Sequence, residues 1–365
     1  MMATTKALVN IRPGHAEVQD IPVPALEPGY IRVRPTAWAI NPDDAYHLGL
    51  EGEESCPGTI IGTDYAGIVV EVGPGVERDF KVGDRIAGGV VGQNILRKHD
   101  GAFAHLIHVQ GDIQMKIPDN MSDKEAATQG VALITMGVGL YQHLHLPLPH
   151  EPAKERFPVF IYGGSTAMGI TAIQLAKVGG TTVITTSSPS NADYVKSLGA
   201  DHVLDYKSQT LVDDILRLSG GPLLHVFDTH PNLTSITTSA AILQKSPSAI
   251  YISLNSGLER EVKRLNPDVT AESILAYSAT GNPWMYENKF YEAVPEDFVF
   301  QKKFVKVAER LFQDGLLKPA RVYLNRGGSG LGGIVKGLVD IKEGRHWCKW
   351  DQMWSAKLNY KLKNW

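Results

Sequence analysis

The sequence predicts an α/β protein of two domains, a doubly wound parallel sheet preceded by a β-rich domain. Three observations carry that prediction. The 365 residues, at about 150 per domain, call for two hydrophobic cores. From Pro158 onward apolar strand-like runs alternate with helical patterns, which argues for parallel strands joined by right-handed crossovers. Before residue 122 the segments are short and β-like, with Pro and Gly clusters between them. A 43% hydrophobic, 21% charged composition fits a soluble globular chain. Thirty-six basic against 39 acidic side chains leave a net charge of -3, so no large field exists to hold nucleic acid or an anionic membrane.

In chain order, GYIRVRPTAWAI (29–40), DYAGIVVEVG (64–73), DRIAGGVV (84–91) and FAHLIHV (103–109) read as the β segments of the first domain. Ser122 with Glu125 three residues on is an N-cap signature, and an apolar helix follows it. That run, Gly130 to Tyr141, is too short to span a membrane, and the first residues lack the pattern of a secretory signal. A reduced, cytoplasmic setting is the expectation. A Pro-rich connection (146–158) leads into PVFIYGG, a strand ending in a glycine turn, and then a helix closed by Gly179 and Gly180. TTVITTSS, DHVLDY, LLHVFDTH and SAIYISLN continue the series as strands, and FVFQKKFVKVAERLFQDG (298–315) is a late helix.

The turn YGGSTAMG (162–169) sits where a pyrophosphate would be received, after an apolar strand and at a helix N-terminus with its unpaired N–H groups. Strict G-x-G-x-x-G spacing is absent, and a tight turn without a ligand would read the same way; the periodic βαβ context favours a dinucleotide. At the next strand tip, an NAD site places an Asp or Glu on the ribose 2′-hydroxyl. Here Ser187, Ser188, Pro189, Ser190 and Asn191 offer neutral groups, with no acid before Asp193, so NADP is the expected cofactor. The same residues would also cap the following helix.

Six motifs in order then carry a resemblance: AINPDDAY (39–46), GTDYAGIVVEVGPGV (62–76), VGDRI (82–86), DGAFAHLIHV (100–109), YGGSTAMGITAIQLAK (162–177) and KSLGADHVLDYK (196–207). The chain resembles the medium-chain dehydrogenase/reductase superfamily, in its quinone oxidoreductase and enoyl reductase branch. The Asn-Pro-x-Asp start, the YGGSTA turn, the Ser-Pro-x-Asn tip and the LPLP connection resemble the trans-acting enoyl reductases of fungal polyketide synthases. The resemblance implies a GroES-like catalytic domain at 1–122, completed by 318–365, and a Rossmann NADP-binding domain at 123–317.

Zinc-dependent members of the superfamily hold a catalytic metal with Cys and His. At the matching places this chain has AINPDD, without a cysteine, and Gly62-Thr63-Asp64, without a histidine; residues 84–109, where a structural zinc lobe would stand, contain no cysteine. No metal is expected. The chemistry implied is hydride addition to a polarised C=C bond, with an enolate stabilised by hydrogen-bond donors. Tyr46 is the candidate donor, since related reductases place a tyrosine there where the lovastatin-type enzyme has lysine; a tyrosine bonded for structure alone would read identically. Matching also implies cofactor contacts from Asn41, Asp43, Asp44, Ser165, Thr166, Ala167, Met168, Ser188, Pro189, Ser190, Asn191, Tyr206, Leu254 and Asn255, and substrate contacts from Thr135 and Met136. The Asn-Pro-Asp-Asp run is also an ordinary turn, Tyr206 could be packing, and Thr135 and Met136 could be core.

The function expected is NADPH-dependent reduction of enoyl thioesters carried by a polyketide synthase, its partner. The alternatives are a free-standing quinone or enone reductase and a non-catalytic binding protein on a reductase fold. Monomer and homodimer are both open. The segment 343–362, with Trp347, Trp350 and Trp354, departs from the family pattern and reads as an insertion over the cleft, a partner surface or a gene-model artefact.

Overall fold

The computed structural model describes residues 3–244, 246–254 and 257–343, so the Trp-rich segment and Asn255 lie outside the described residues. In chain order the elements are β1 (Thr4–Arg12), β2 (His15–Pro22), β3 (Tyr30–Ala39), α1 (Pro42–Leu48), β4 (Asp64–Val72), β5 (Arg85–Gly89), β6 (Ile107–Gln110), β7 (Met115–Lys116), α2 (Asp123–Ala126) and α3 (Gly130–Met136). A π-helical segment (Gly137–His143) continues α3. Then follow β8 (Pro158–Tyr162), α4 (Ala167–Val178), β9 (Thr182–Ser187), α5 (Ala192–Ser197), β10 (His202–Asp205), α6 (Leu211–Ser219), β11 (His225–Asp228), α7 (Leu233–Leu243), β12 (Ile250–Leu254), α8 (Glu259–Leu265) and β13 (Thr270–Ile274). The hairpin strands β14 (Trp284–Tyr286) and β15 (Lys289–Tyr291), then α9 (Pro295–Gln313) and α10 (Gly330–Lys342), complete the series. Among the described residues no helix is long and apolar enough to cross a membrane.

The chain divides into two compact units. The first comprises the described residues of Met1–Val131, Tyr277–Val305 and Arg321–Trp365, the second Ala132–Ala276 and Lys306–Ala320. Sequence alone draws a single cofactor interval at 123–317. The interleaving arises because residues after Tyr277 are tied into the first unit: the Tyr277 hydroxyl donates to Asp43 at 2.6 Å, and Lys302 pairs with Asp112 at 3.2 Å.

In the first unit an antiparallel sheet runs β6-β3-β4-β5-β7, beside the β1–β2 and β14–β15 hairpins. Alternation along β3 and β4 turns Ile31, Val33, Tyr65 and Val69 into a core with Leu8, Ile61 and Phe103. α10 adds Leu331, Ile334 and Leu338 to that core. Ser122 forms the expected capping box, with Glu125 N donating to the Ser122 hydroxyl and the Glu125 carboxylate accepting from Ser122 N.

In the second unit the parallel sheet runs β10-β9-β8-β11-β12-β13. β8 (PVFIY) and β12 (IYISL), strands inside the sheet, read as near-continuous apolar runs, as parallel strands buried on both faces do. Phe160, Ile184, Ile215, Ile236, Leu243, Tyr251 and Val262 are buried together. Each strand expected from the sequence is present. β13 adds another that the sequence hides: at the sheet edge it alternates exposed and half-buried positions and carries no apolar run.

Candidate functional site

The parallel sheet sets its strand ends along one edge. Its register pairs Asp205 with Ser187, Ile161 with Thr185, Tyr162 with Asp228, and Asp228 with Ser253. The strand order reverses direction at β8 and β11, and a crevice outside such a switch point is where open α/β sheets receive ligands. Those of the expected cofactor residues that belong to the second unit and are described lie at or after the ends of these strands. Ser165 lies on the turn after β8, and Thr166, Ala167 and Met168 open α4. Ser188, Pro189, Ser190 and Asn191 follow β9, Tyr206 follows β10 and is 37% exposed, and Leu254 ends β12.

Hydroxyl groups hold the turn between β8 and α4. Gly163 N donates to the Thr186 hydroxyl at 3.0 Å, and the Thr229 hydroxyl reaches the carbonyls of Tyr162 (2.8 Å) and Gly163 (3.1 Å). Thr166 lies 2.9 Å from the Thr229 hydroxyl and accepts from Gly169 N at 2.9 Å, capping α4. Gly163 needs its freedom because its φ is +84°, and Gly169 because a Cβ there would stand 2.2 Å from the Gly163 carbonyl oxygen. Sequence reading had found the glycines but missed Thr186 and Thr229, whose roles depend on strands brought alongside by the sheet. Beyond β9, Ser188 and Ser190 hydroxyls lie 3.1 Å apart and the Asn191 amide donates to Ser188 at 3.3 Å, a cluster of neutral groups.

Asp228, at the end of β11, is a buried carboxylate that faces inward. It accepts from the Tyr251 hydroxyl and from His230 N, both at 2.9 Å, and burial raises it to about 6. Thr135 and Met136 lie on α3, Thr135 5% exposed and Met136 fully enclosed.

In the first unit Asn41 caps α1, a short helix with Pro42 in its first turn. Its backbone N donates to Asp44 at 2.7 Å, while its side-chain amide donates to Thr63 at 3.0 Å and to Asp64 at 2.8 Å. Thr63 in turn donates to Asp44 at 3.1 Å, and Val131 N donates to Asp64 at 2.6 Å. Both carboxylates are wholly buried; burial raises Asp64 to about 7 and Asp44 well above the ordinary carboxylate range. Asp43, half-buried, accepts from Tyr277 and, at 3.4 Å, from Tyr286. The two stretches that the resemblance aligns with zinc-ligand positions are therefore bonded to each other.

Tyr46, on the same helix, donates its hydroxyl to the carboxylate of Glu287 at the tip of the β14–β15 hairpin. Burial first, and the Glu287 carboxylate second, push the phenol above its ordinary value, so it stays protonated. Sequence reading missed Glu287; the aromatic runs flanking Glu-Asn were its one local signal, a hairpin pattern. Among the described residues no group of three or more His, Cys, Asp or Glu side chains is arranged to hold a metal ion.

Comparison with known proteins gives consistent findings. Residues 27–119 match the alcohol dehydrogenase GroES-like domain family, and residues 167–296 the zinc-binding dehydrogenase family. The trans-enoyl reductase TOXD of Cochliobolus carbonum is 42% identical over 295 residues, 80% of this chain and 96% of that protein. The trans-enoyl reductase resD of Aspergillus sclerotiorum is 35% identical over 354 residues, 93% of this chain and 96% of its own. Among solved structures the CurK enoyl reductase superposes with a TM-score of 0.74 at 20% identity, covering 94% of this chain and 97% of that one. A quinone oxidoreductase of Pseudomonas syringae pv. Tomato DC3000 does so with a TM-score of 0.69 at 21% identity, covering 94% and 98%.

Proposed function

Because this chain belongs to the medium-chain dehydrogenase/reductase superfamily, in its group of trans-enoyl reductases, we propose that it uses NADPH to reduce enoyl thioesters carried by a polyketide synthase. The observation that carries the reading is the bonding of Asn41 to Thr63 and Asp64. An amide, a hydroxyl and the two buried carboxylates Asp44 and Asp64, with no Cys or His among them, are not the Cys and His donor set of the zinc-dependent members. The reading therefore relies on a hydrogen-bond donor, Tyr46, and not on a metal, to stabilise the enolate.

The second unit suits a dinucleotide with a 2′-phosphate. The first-turn amides of α4 are the donors a helix N-terminus offers to anions, and Ser188, Ser190 and Asn191 supply neutral donors. Ser165 to Met168 would hold the pyrophosphate, Ser188 to Asn191 the adenosine phosphate, and Tyr206, Leu254 and Asn255 would complete the nucleotide's surroundings. The resemblance assigns Asn41, Asp43 and Asp44 to the cofactor and Thr135 and Met136 to the substrate; in the first unit Asn41, Asp43 and Asp44 fix the shape of α1, and in the second Thr135 is buried and Met136 fully enclosed. The nicotinamide supplies hydride for the β-carbon. Tyr46 holds the proton that the α-carbon receives.

Turnover separates this reading from its alternatives. NADPH oxidation with an enoyl thioester of pantetheine is expected to exceed that with a quinone. The reverse order would make the protein a quinone reductase, and no oxidation with either acceptor would make it a binding protein.

A further inference from the structure

Glu287 stands in a conformation that its residue type disfavours. Tyr286 pairs with Lys289 across the hairpin, which leaves Glu287 and Asn288 as a two-residue turn. Both have positive φ, +48° and +56°, as a type I′ turn requires. Asn suits such a position and glycine suits it best; glutamate there carries backbone strain. The strained residue is the one whose carboxylate meets the Tyr46 hydroxyl. The hairpin is fixed in that place from both sides: Asn288 donates to Glu53 at 2.9 Å, and the ring of Tyr286 stands edge-on to His47 of α1 at 4.6 Å.

We propose that Glu287 is the proton-relay partner of Tyr46, recharging the phenol as it protonates the reduced substrate. The inference rests on the reading of Tyr46 as the proton donor. A phenol has one proton, and beside an ionised carboxylate that proton is held by Glu287 and withheld from substrate. A protonated Glu287 reverses the bond: the carboxyl donates to the Tyr46 oxygen and the phenol proton is freed. The step then balances. Hydride from the reduced nicotinamide nucleotide forms a C–H bond at the β-carbon and leaves an enolate. The O–H bond of Tyr46 breaks as a C–H bond forms at the α-carbon, and the O–H bond of the Glu287 carboxyl breaks as its proton passes to the Tyr46 oxygen. Glu287, left as carboxylate and only half-buried, takes up a solvent proton, and the nucleotide leaves oxidised, so each turnover consumes one reduced nucleotide and one proton. The substrate has gained two electrons and two hydrogens, delivered as one hydride and one proton. Glu287 is thus a positioning and relay residue that acts through Tyr46.

Glu287→Gly tests this, because glycine accepts the turn geometry and removes only the carboxylate. The variant is expected to unfold at or above the temperature of the parent protein, and its kcat to fall by about a hundredfold with KM for the enoyl thioester little changed. Added formate should restore part of that kcat, which a loss of structure would not allow. Tyr46→Phe should lose kcat to a similar degree, and the double variant should be no slower than Tyr46→Phe alone. Full kcat in Glu287→Gly, alongside a slow Tyr46→Phe, overturns the relay and leaves Tyr46 as donor. Full kcat in Tyr46→Phe overturns the donor reading and the relay with it.

Discussion

The glycine-turn corner of the second unit and the α1 corner of the first are both fastened by side-chain hydrogen bonds, but with groups of opposite character. Around the glycine turn the fasteners are neutral: Thr166, Thr186 and Thr229 grip backbone atoms, and Ser188, Ser190 and Asn191 form the cluster beyond β9. Around α1 they are acidic, with Asp43, Asp44, Asp64 and Glu287 all accepting from neutral donors. A neutral frame fixes the shape of a turn without adding negative charge, so it can receive an anionic phosphate. A corner of carboxylates would repel one, and the two that are wholly buried, Asp44 and Asp64, are shifted by that burial toward the protonated form. Under the proposed function, the second unit would bind the anionic cofactor and the first would handle the proton.

The comparison breaks first at the β9 tip. Ser188→Asp places a carboxylate in the neutral cluster, where it would accept from a ribose 2′-hydroxyl and repel a 2′-phosphate. The ratio of NADPH to NADH affinity is expected to fall by about a hundredfold, equivalent to about 2.8 kcal/mol, as read by titration of nicotinamide fluorescence. An unchanged ratio would remove this tip from cofactor selection.

A smaller effect sharpens the comparison through pH. Asp64 rises from 3.8 to about 7 and Asp228 from 3.8 to about 6, burial being the largest cause for each. A carboxyl whose value is raised by folding binds its proton more tightly in the native state. Its stabilising contribution is therefore complete below about pH 4. It is lost as pH rises through the folded value. The parent protein should lose melting temperature across this window, and Asp64→Asn should flatten the loss up to about pH 7 by a few degrees. Asp228→Asn should act only up to about pH 6. Identical pH profiles in parent and Asp64→Asn would show that the α1 corner holds no such proton.

The two corners also differ in how far the sequence discloses them. The glycine turn announces itself because its signals are local and periodic: an apolar strand, two glycines, a capping threonine and a helix within 21 residues, from Pro158 to Val178. Its fasteners Thr186 and Thr229 stay hidden, since they arrive on neighbouring strands. At α1, the sequence marks Asn41 and Tyr46 through resemblance alone. It cannot show that Asn41 meets Thr63 and Asp64 across a turn of the chain, or that Glu287, 241 residues away, lies on Tyr46. β13 is missed because an edge strand needs no apolar run, and the β14–β15 hairpin because Glu-Asn is a poor advertisement for a type I′ turn.

The central claim is that this chain moves hydride to the β-carbon of an enoyl thioester and a proton to its α-carbon. The most direct measurement is turnover of a pantetheine enoyl thioester with NADPH deuterated at the transferable position, followed by NMR of the saturated product. The account predicts deuterium at the β-carbon alone, and deuterium at the α-carbon alone when unlabelled NADPH is used in D2O. Product without cofactor-derived deuterium at the β-carbon, or NADPH oxidised with no saturated thioester formed, would contradict it.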